Sequence, residues 1–136
     1  AEWLRVRIAW WLLKPFTKSI PRTFNRNSTD EAFLDFIQQD PLQPRRVPLR
    51  WIGALRRWLA GLPLADLNVG PALVLQGDQD GTVDWRYNTQ HISSLFPDSD
   101  IRYLEGAGHQ LANESAAIRE SYLQVTHAYL SRKYPR

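Results

Sequence analysis

The chain has no cysteine and no methionine. Without Cys there are no disulfides, no thiolate metal ligands and no Cys nucleophile, a composition that suits a reducing compartment or a secreted bacterial enzyme, with the cytoplasm favoured of the two. Without Met, and with Ala1 in first place, the expectation is a processed or truncated N-terminus. Long apolar runs are missing too. The longest, Ile8 to Leu13, is six residues, whereas a membrane-spanning helix needs about twenty. The same run after Arg5 and Arg7 is too short for a signal peptide and lacks a small-residue cleavage site. Repeats and low-complexity tracts are absent. No H-x-x-x-H or H-E-x-x-H spacing occurs, and the carboxylates between Gly77 and Asp84 lack the ligand order and closing Glu of an EF-hand, so no metal and no cofactor are expected.

What is present is the composition of a globular protein: 136 residues, 43% hydrophobic and 23% charged, the size of one domain. The net charge of +3 conceals an asymmetry, because residues 1–63 hold eleven Lys and Arg against five Asp and Glu, and residues 64–136 hold six against nine. Five of the six Trp (Trp3, Trp10, Trp11, Trp51 and Trp58) lie in the basic half. A basic, Trp-bearing segment fits a membrane interface, a nucleic-acid surface, or amphipathic helices packed on a core with solvated Arg outside.

Residues 1–63 read as helices separated by prolines. Trp3, Val6, Trp10 and Leu13 recur at helical spacing until Lys14-Pro15. Ser28 followed by Glu31 has the form of a capping box, and the helix it opens runs to about Gln39. Asp40-Pro41 and Gln43-Pro44 make an irregular connector, and Pro48 opens a third helix that ends at Gly61, with Trp51, Leu55, Trp58 and Leu62 along one stripe. From residue 64 the pattern changes. Ala72–Gln76 is a buried-type strand, Gly77–Asp84 a polar loop, Trp85–Phe96 a helix ended by Pro97, and Ile101–Leu104 a second strand. The loop Glu105–Asn113 leads into a helix from about Ser115 to Arg132. This order argues for a parallel sheet with helices on its faces, of which only two strands are visible.

In such sheets reactive groups collect on loops beyond the carboxyl ends of the strands. His127 lies opposite the apolar stripe Ile118, Tyr122, Val125 and Tyr129 of the last helix, and His91 sits within a helix. His109 alone is in a loop after a strand, behind Gly106-Ala107-Gly108, where missing side chains allow tight turning. In the preceding loop, Asp84 is placed to cap the following helix and Asp78 to form a turn. Asp80 is left as the carboxylate best placed to accept the Nδ1–H of His109.

The segment from Pro71 through Leu75-Gln76-Gly77-Asp78-Gln79-Asp80-Gly81 to Asp84 resembles the strand and acid loop of α/β-hydrolases, in the monoacylglycerol lipase and serine aminopeptidase group. Glu105-Gly106-Ala107-Gly108-His109-Gln110-Leu111 to Glu114 resembles their histidine loop. The two motifs, about thirty residues apart with a helix and a strand between, make the resemblance over roughly residues 64–132. It implies an α/β fold, with residues 64–136 as the C-terminal portion of an α/β-hydrolase core with an incomplete sheet and residues 1–63 as a helical cap or lid. It implies Asp80 as triad acid and His109 as base. Glu114 has no role beyond capping or loop support.

The family's nucleophile, a Ser in a G-x-S-x-G turn upstream of the acid, has no counterpart: none of the eight Ser has Gly two residues to either side. The expectation is therefore a fragment of a serine hydrolase acting on lipid-like or other carboxylic esters, inactive alone because nucleophile and oxyanion hole are absent from it. The Trp-rich segment either buries against the core or meets a membrane surface through Trp3, Trp10, Trp11, Trp51 and Trp58. The rival reading is a non-catalytic lipid- or nucleic-acid-binding module using that half. Nucleic acid is disfavoured because the Arg residues form no single run.

Overall fold

The structure, a computed structural model, describes residues 2–62 and 70–135. Its elements are α1 (Glu2–Leu13), β1 (Ser19–Pro21), α2 (Glu31–Gln39), β2 (Arg46–Pro48), α3 (Leu49–Ala60), β3 (Leu73–Gly77), α4 (Trp85–Leu95), β4 (Asp100–Leu104), a 3-10 turn at Leu111–Asn113 and α5 (Ala116–Lys133). They form two compact units: Ala1–Phe24 with Pro41–Pro63, and Asn25–Asp40 with Leu64–Arg136. The division read from the sequence, 1–63 and 64–136, differs from this. Its break at 63/64 lies outside the described residues, and residues 25–40 group with the C-terminal elements.

In the first unit α1 packs on α3. The Trp10 indole N–H donates to the Leu49 carbonyl at 2.8 Å, and a Cβ at Gly53 would stand 3.0 Å from the Trp10 ring. The side chain of Arg56 lies over that ring, 4.4 Å from its centroid. Leu49 and Ile52 are buried here. Of the α3 stripe expected from Trp51, Leu55, Trp58 and Leu62, the two Leu are half-buried and the two Trp are off the packed face. The two Trp are 57% and 61% exposed, because Trp10 docks on Leu49 and Gly53, and one residue along a helix turns the face by about 100°. The connectors around α2 hold a short antiparallel pair, β1 with β2, in the register Ser19↔Pro48, Ile20↔Val47 and Pro21↔Arg46. The side chains of Trp3 and Val6 lie outside the described ones.

In the second unit β3 and β4 are parallel, paired from Leu73↔Asp100 to Gly77↔Leu104, with α4 as the connection. This is the parallel pair and crossover helix that the alternation of apolar runs predicts. Asp84 caps α4, accepting from the Tyr87 N–H at 3.2 Å. Along α5 the residues Ile118, Tyr122, Val125 and Tyr129 are half-buried and His127 is exposed, and the helix packs on β3, β4 and the 3-10 turn.

The capping box expected at Ser28 and Glu31 does not form. Asp30 is the N-cap of α2, accepting from the Phe33 N–H at 3.1 Å, and Glu31 pairs with Arg26. Ser28 is buried instead; its hydroxyl donates to the Asn113 carbonyl at 2.7 Å and accepts from the Asp30 N–H at 2.9 Å. With Asp30 as the N-cap, Ser28 stands two residues ahead of it, and its hydroxyl accepts from the N–H of the cap residue itself and not from the first turn.

Candidate active site

The loops that follow β3 and β4 meet at the carboxyl ends of the two strands. Their approach depends on glycine: a Cβ at Gly77 would overlap the carbonyls of Ala107 and Gly108. The Gln79 N–H donates to the Ala107 carbonyl at 2.9 Å, and the Asp78 N–H to the Leu104 carbonyl at 3.2 Å. Asp78 does more than turn the chain, since its carboxylate accepts from the Gly106 N–H at 2.8 Å. Gly106 itself has φ of +72°, a left-handed conformation that glycine adopts without a Cβ penalty.

Asp80 and His109 are brought together by this junction. Asp80 Oδ2 lies 2.9 Å from His109 Nδ1. The Asp80 side chain is only 2% exposed, whereas that of His109 is 37% exposed. Asp80 Oδ1 accepts from the N–H groups of Thr82 at 2.8 Å and Val83 at 3.2 Å, and Oδ2 also accepts from the Gln76 amide at 3.1 Å. Burial alone would push this carboxyl up. The bonds from His109, Thr82, Gln76 and Val83 outweigh it and hold the group below its ordinary value. An ionised acceptor facing Nδ1 selects the tautomer with its proton on Nδ1, leaving Nε2 as the basic nitrogen.

The histidine loop is clamped from a distant part of the chain. The Asn27 carbonyl accepts the N–H groups of His109 at 3.0 Å and Gln110 at 2.9 Å, and a Cβ at Gly108 would come within 2.8 Å of that carbonyl oxygen. Glu114, the largest fully buried side chain among the described residues, accepts from the Gly108 N–H at 2.6 Å through Oε1. Its Oε2 accepts from the Thr29 N–H at 2.7 Å and the Thr29 hydroxyl at 2.5 Å. Sequence reading missed Asn27, Thr29 and Gln76. Asn27 acts through a backbone carbonyl, which carries no residue-type signal, and Thr29 meets its partner 85 residues away.

His109 lines an open depression of about 550 Å³ with Leu73, Leu75, Leu111, Tyr122 and Tyr129. Thr126 also borders it, but its hydroxyl donates to the Tyr122 carbonyl at 2.8 Å. Among the described residues no Ser or Thr hydroxyl is hydrogen bonded to the imidazole, and no group of three or more His, Asp or Glu side chains converges as metal ligands would. The pair can thus take a proton at Nε2 and stabilise the resulting cation.

No protein-family model matches the chain, and no curated protein matches it. It is similar to the solved structure of a soluble variant of monoglyceride lipase from Saccharomyces cerevisiae in complex with a substrate analog. The TM-score is 0.74 at 17% identity, covering 96% of this chain and 50% of that one. It is also similar to the monoacylglycerol lipase of Paleococcus ferrophilus, with a TM-score of 0.67 at 17% identity over 91% of this chain and 51% of that one. The chain spans about half the length of these structures, and at such identity the likeness is one of fold. A small parallel sheet with flanking helices, matched to both lipases, gives the chain the α/β-hydrolase fold over about half of that fold's length.

Proposed function

We propose that this chain supplies the acid and the base of a serine-hydrolase triad acting on carboxylic esters with a lipid-like acyl group. Asp80 is the orienting acid and His109 the general base, and the nucleophile is a Ser outside these 136 residues. The observation that carries the reading is the 2.9 Å contact between a buried Asp80 carboxylate and Nδ1 of a partly exposed His109. The apolar lining beside His109, Leu73, Leu75 and Leu111 among it, suits an acyl chain.

As the Ser Oγ attacks the ester carbonyl, its proton passes to Nε2 of His109. The imidazolium is stabilised through Nδ1–H by Asp80, which stays ionised. Nε2 then returns the proton to the leaving alkoxide, giving an acyl-enzyme and free alcohol. In the second half a water gives its proton to Nε2 as it attacks, and the acid is released as the Ser regains its proton. Residues 1–63 are the helical cap or lid segment in this proposal.

Esterase assays on a longer protein containing this chain and a Ser nucleophile test the reading. His109→Ala and Asp80→Asn should each reduce kcat by about 10³-fold or more. Unchanged turnover in either variant would sink it.

A further inference from the structure

Asp80 holds the His109 ring at one atom, and a single hydrogen bond leaves a ring free to pivot about it. Packing does not supply the missing restraint, because the His109 side chain is 37% exposed and the residues before it, Gly106-Ala107-Gly108, carry nothing larger than a methyl. The backbone supplies it. Gly108, His109 and Gln110 donate three successive N–H groups, the first to Glu114 Oε1 at 2.6 Å and the others to the Asn27 carbonyl at 3.0 and 2.9 Å. Glu114 Oε2 takes the N–H and the hydroxyl of Thr29, and the Ser28 hydroxyl donates to the Asn113 carbonyl. Residues 27–29 therefore form a strap that grips the histidine loop on both sides, at 108–110 and at 113–114, with the Glu114 side chain joining strap to loop. Glu114 is fully buried. Burying a carboxylate is expensive, and a packed apolar side chain often serves stability better; what two carboxylate oxygens add is direction, since each accepts only from donors placed in its own plane.

We propose that Glu114 is a positioning residue for His109, with Thr29 as its partner, a role that rests on His109 being the general base. Asp80 sets the tautomer of the ring. Glu114 sets its direction, by fixing the backbone from Gly108 to Gln110 against the strap so that Nε2 faces a substrate from one place. A reacting group needs such support from the residues behind it, and a base displaced by about 1 Å loses on the order of 10²-fold in rate. The two roles are separable. A residue that merely stabilised the fold would lower the melting temperature and leave the turnover of each folded molecule unchanged, whereas a positioning residue lowers kcat in a protein that is fully folded.

The test uses the longer protein with its Ser nucleophile and p-nitrophenyl butyrate, at a temperature where circular dichroism shows each variant folded. Glu114→Gln should lower kcat by about tenfold or more and leave KM within about threefold, since no contact to the ester is removed. Thr29→Val, which keeps the backbone N–H and loses the hydroxyl, should lower kcat by about threefold or more, and Thr29→Ser should restore it. In nitrogen-edited NMR the imidazole of Glu114→Gln should keep its proton on Nδ1, because Asp80 is intact, while that proton exchanges with water at least about tenfold faster. Full kcat in folded Glu114→Gln and Thr29→Val, beside an inactive His109→Ala, would overturn the proposal and leave the base assignment standing. A loss carried wholly by KM would overturn it as well. Full kcat in His109→Ala would overturn the base assignment and the proposal with it.

Discussion

Glu114→Ala should unfold the histidine loop from its support, and the cost follows from what the carboxylate holds. Glu114 is fully buried and accepts from the Gly108 N–H, the Thr29 N–H and the Thr29 hydroxyl. Gly108 is buried as well, so its N–H would lose its partner without gaining water, a cost of about 1–3 kcal/mol. Thr29 is exposed and can turn to solvent, so each of its bonds contributes only the net value of about 1 kcal/mol. The sum is about 3–5 kcal/mol, in line with removing one partner from a buried charged network. For a unit of this size that is a fall in Tm of about 10 °C or more. Glu114→Gln should lie between, because its amide keeps one acceptor oxygen but turns a donor toward either Gly108 or Thr29. Urea unfolding of the three proteins gives the magnitudes, and amide exchange at Gly108 and His109 localises the loss. A change under about 0.5 kcal/mol for Glu114→Ala, or a glutamine variant less stable than the alanine one, would refute the reasoning.

Other perturbations follow from the same junction. Asp80 has its folded-state value lowered, so its contribution is present above the unfolded value of 3.8 and is lost as pH falls through the folded one. Asp80→Asn should therefore flatten the acid limb of the stability profile below about pH 4, measured by urea midpoints across pH. Gly77→Ala should cost about 3 kcal/mol or more, because the new Cβ meets backbone carbonyls that cannot step aside; a thermal melt checks it. Asp30→Ala should cost about 1 kcal/mol through loss of the α2 cap, while Glu31→Ala, whose side chain pairs with Arg26 at the surface, should stay within about 0.5 kcal/mol.

Elements with a strong local signature were legible from residue order. β3, α4, β4 and α5 follow from apolar runs set between Pro71, Gly77, Pro97 and the Gly106–Gly108 loop, and each starts and stops within two residues of the expected place. The meeting of Asp80 and His109 was legible for the same reason, since parallel neighbours put their following loops side by side. Three features were not. β1 and β2 are three residues long with a proline at one end of each, too short for an alternating pattern. The packed face of α3 depends on where Trp10 docks, a choice between two apolar faces that periodicity cannot make. Residues 27–29 join the histidine loop through contacts 85 residues apart and through the backbone, which leave no mark on local sequence. Ser28 even carries a capping pattern, but the cap falls two residues on, at Asp30.

The most direct test of the central claim is the protonation of the His109 ring, read by nitrogen-edited NMR of the imidazole at a pH where it is neutral. The 2.9 Å contact of Nδ1 with the Asp80 carboxylate predicts a proton on Nδ1 and a bare Nε2. In Asp80→Asn that preference should be lost. A wild-type ring protonated at Nε2, or a tautomer indifferent to Asp80→Asn, would contradict the account.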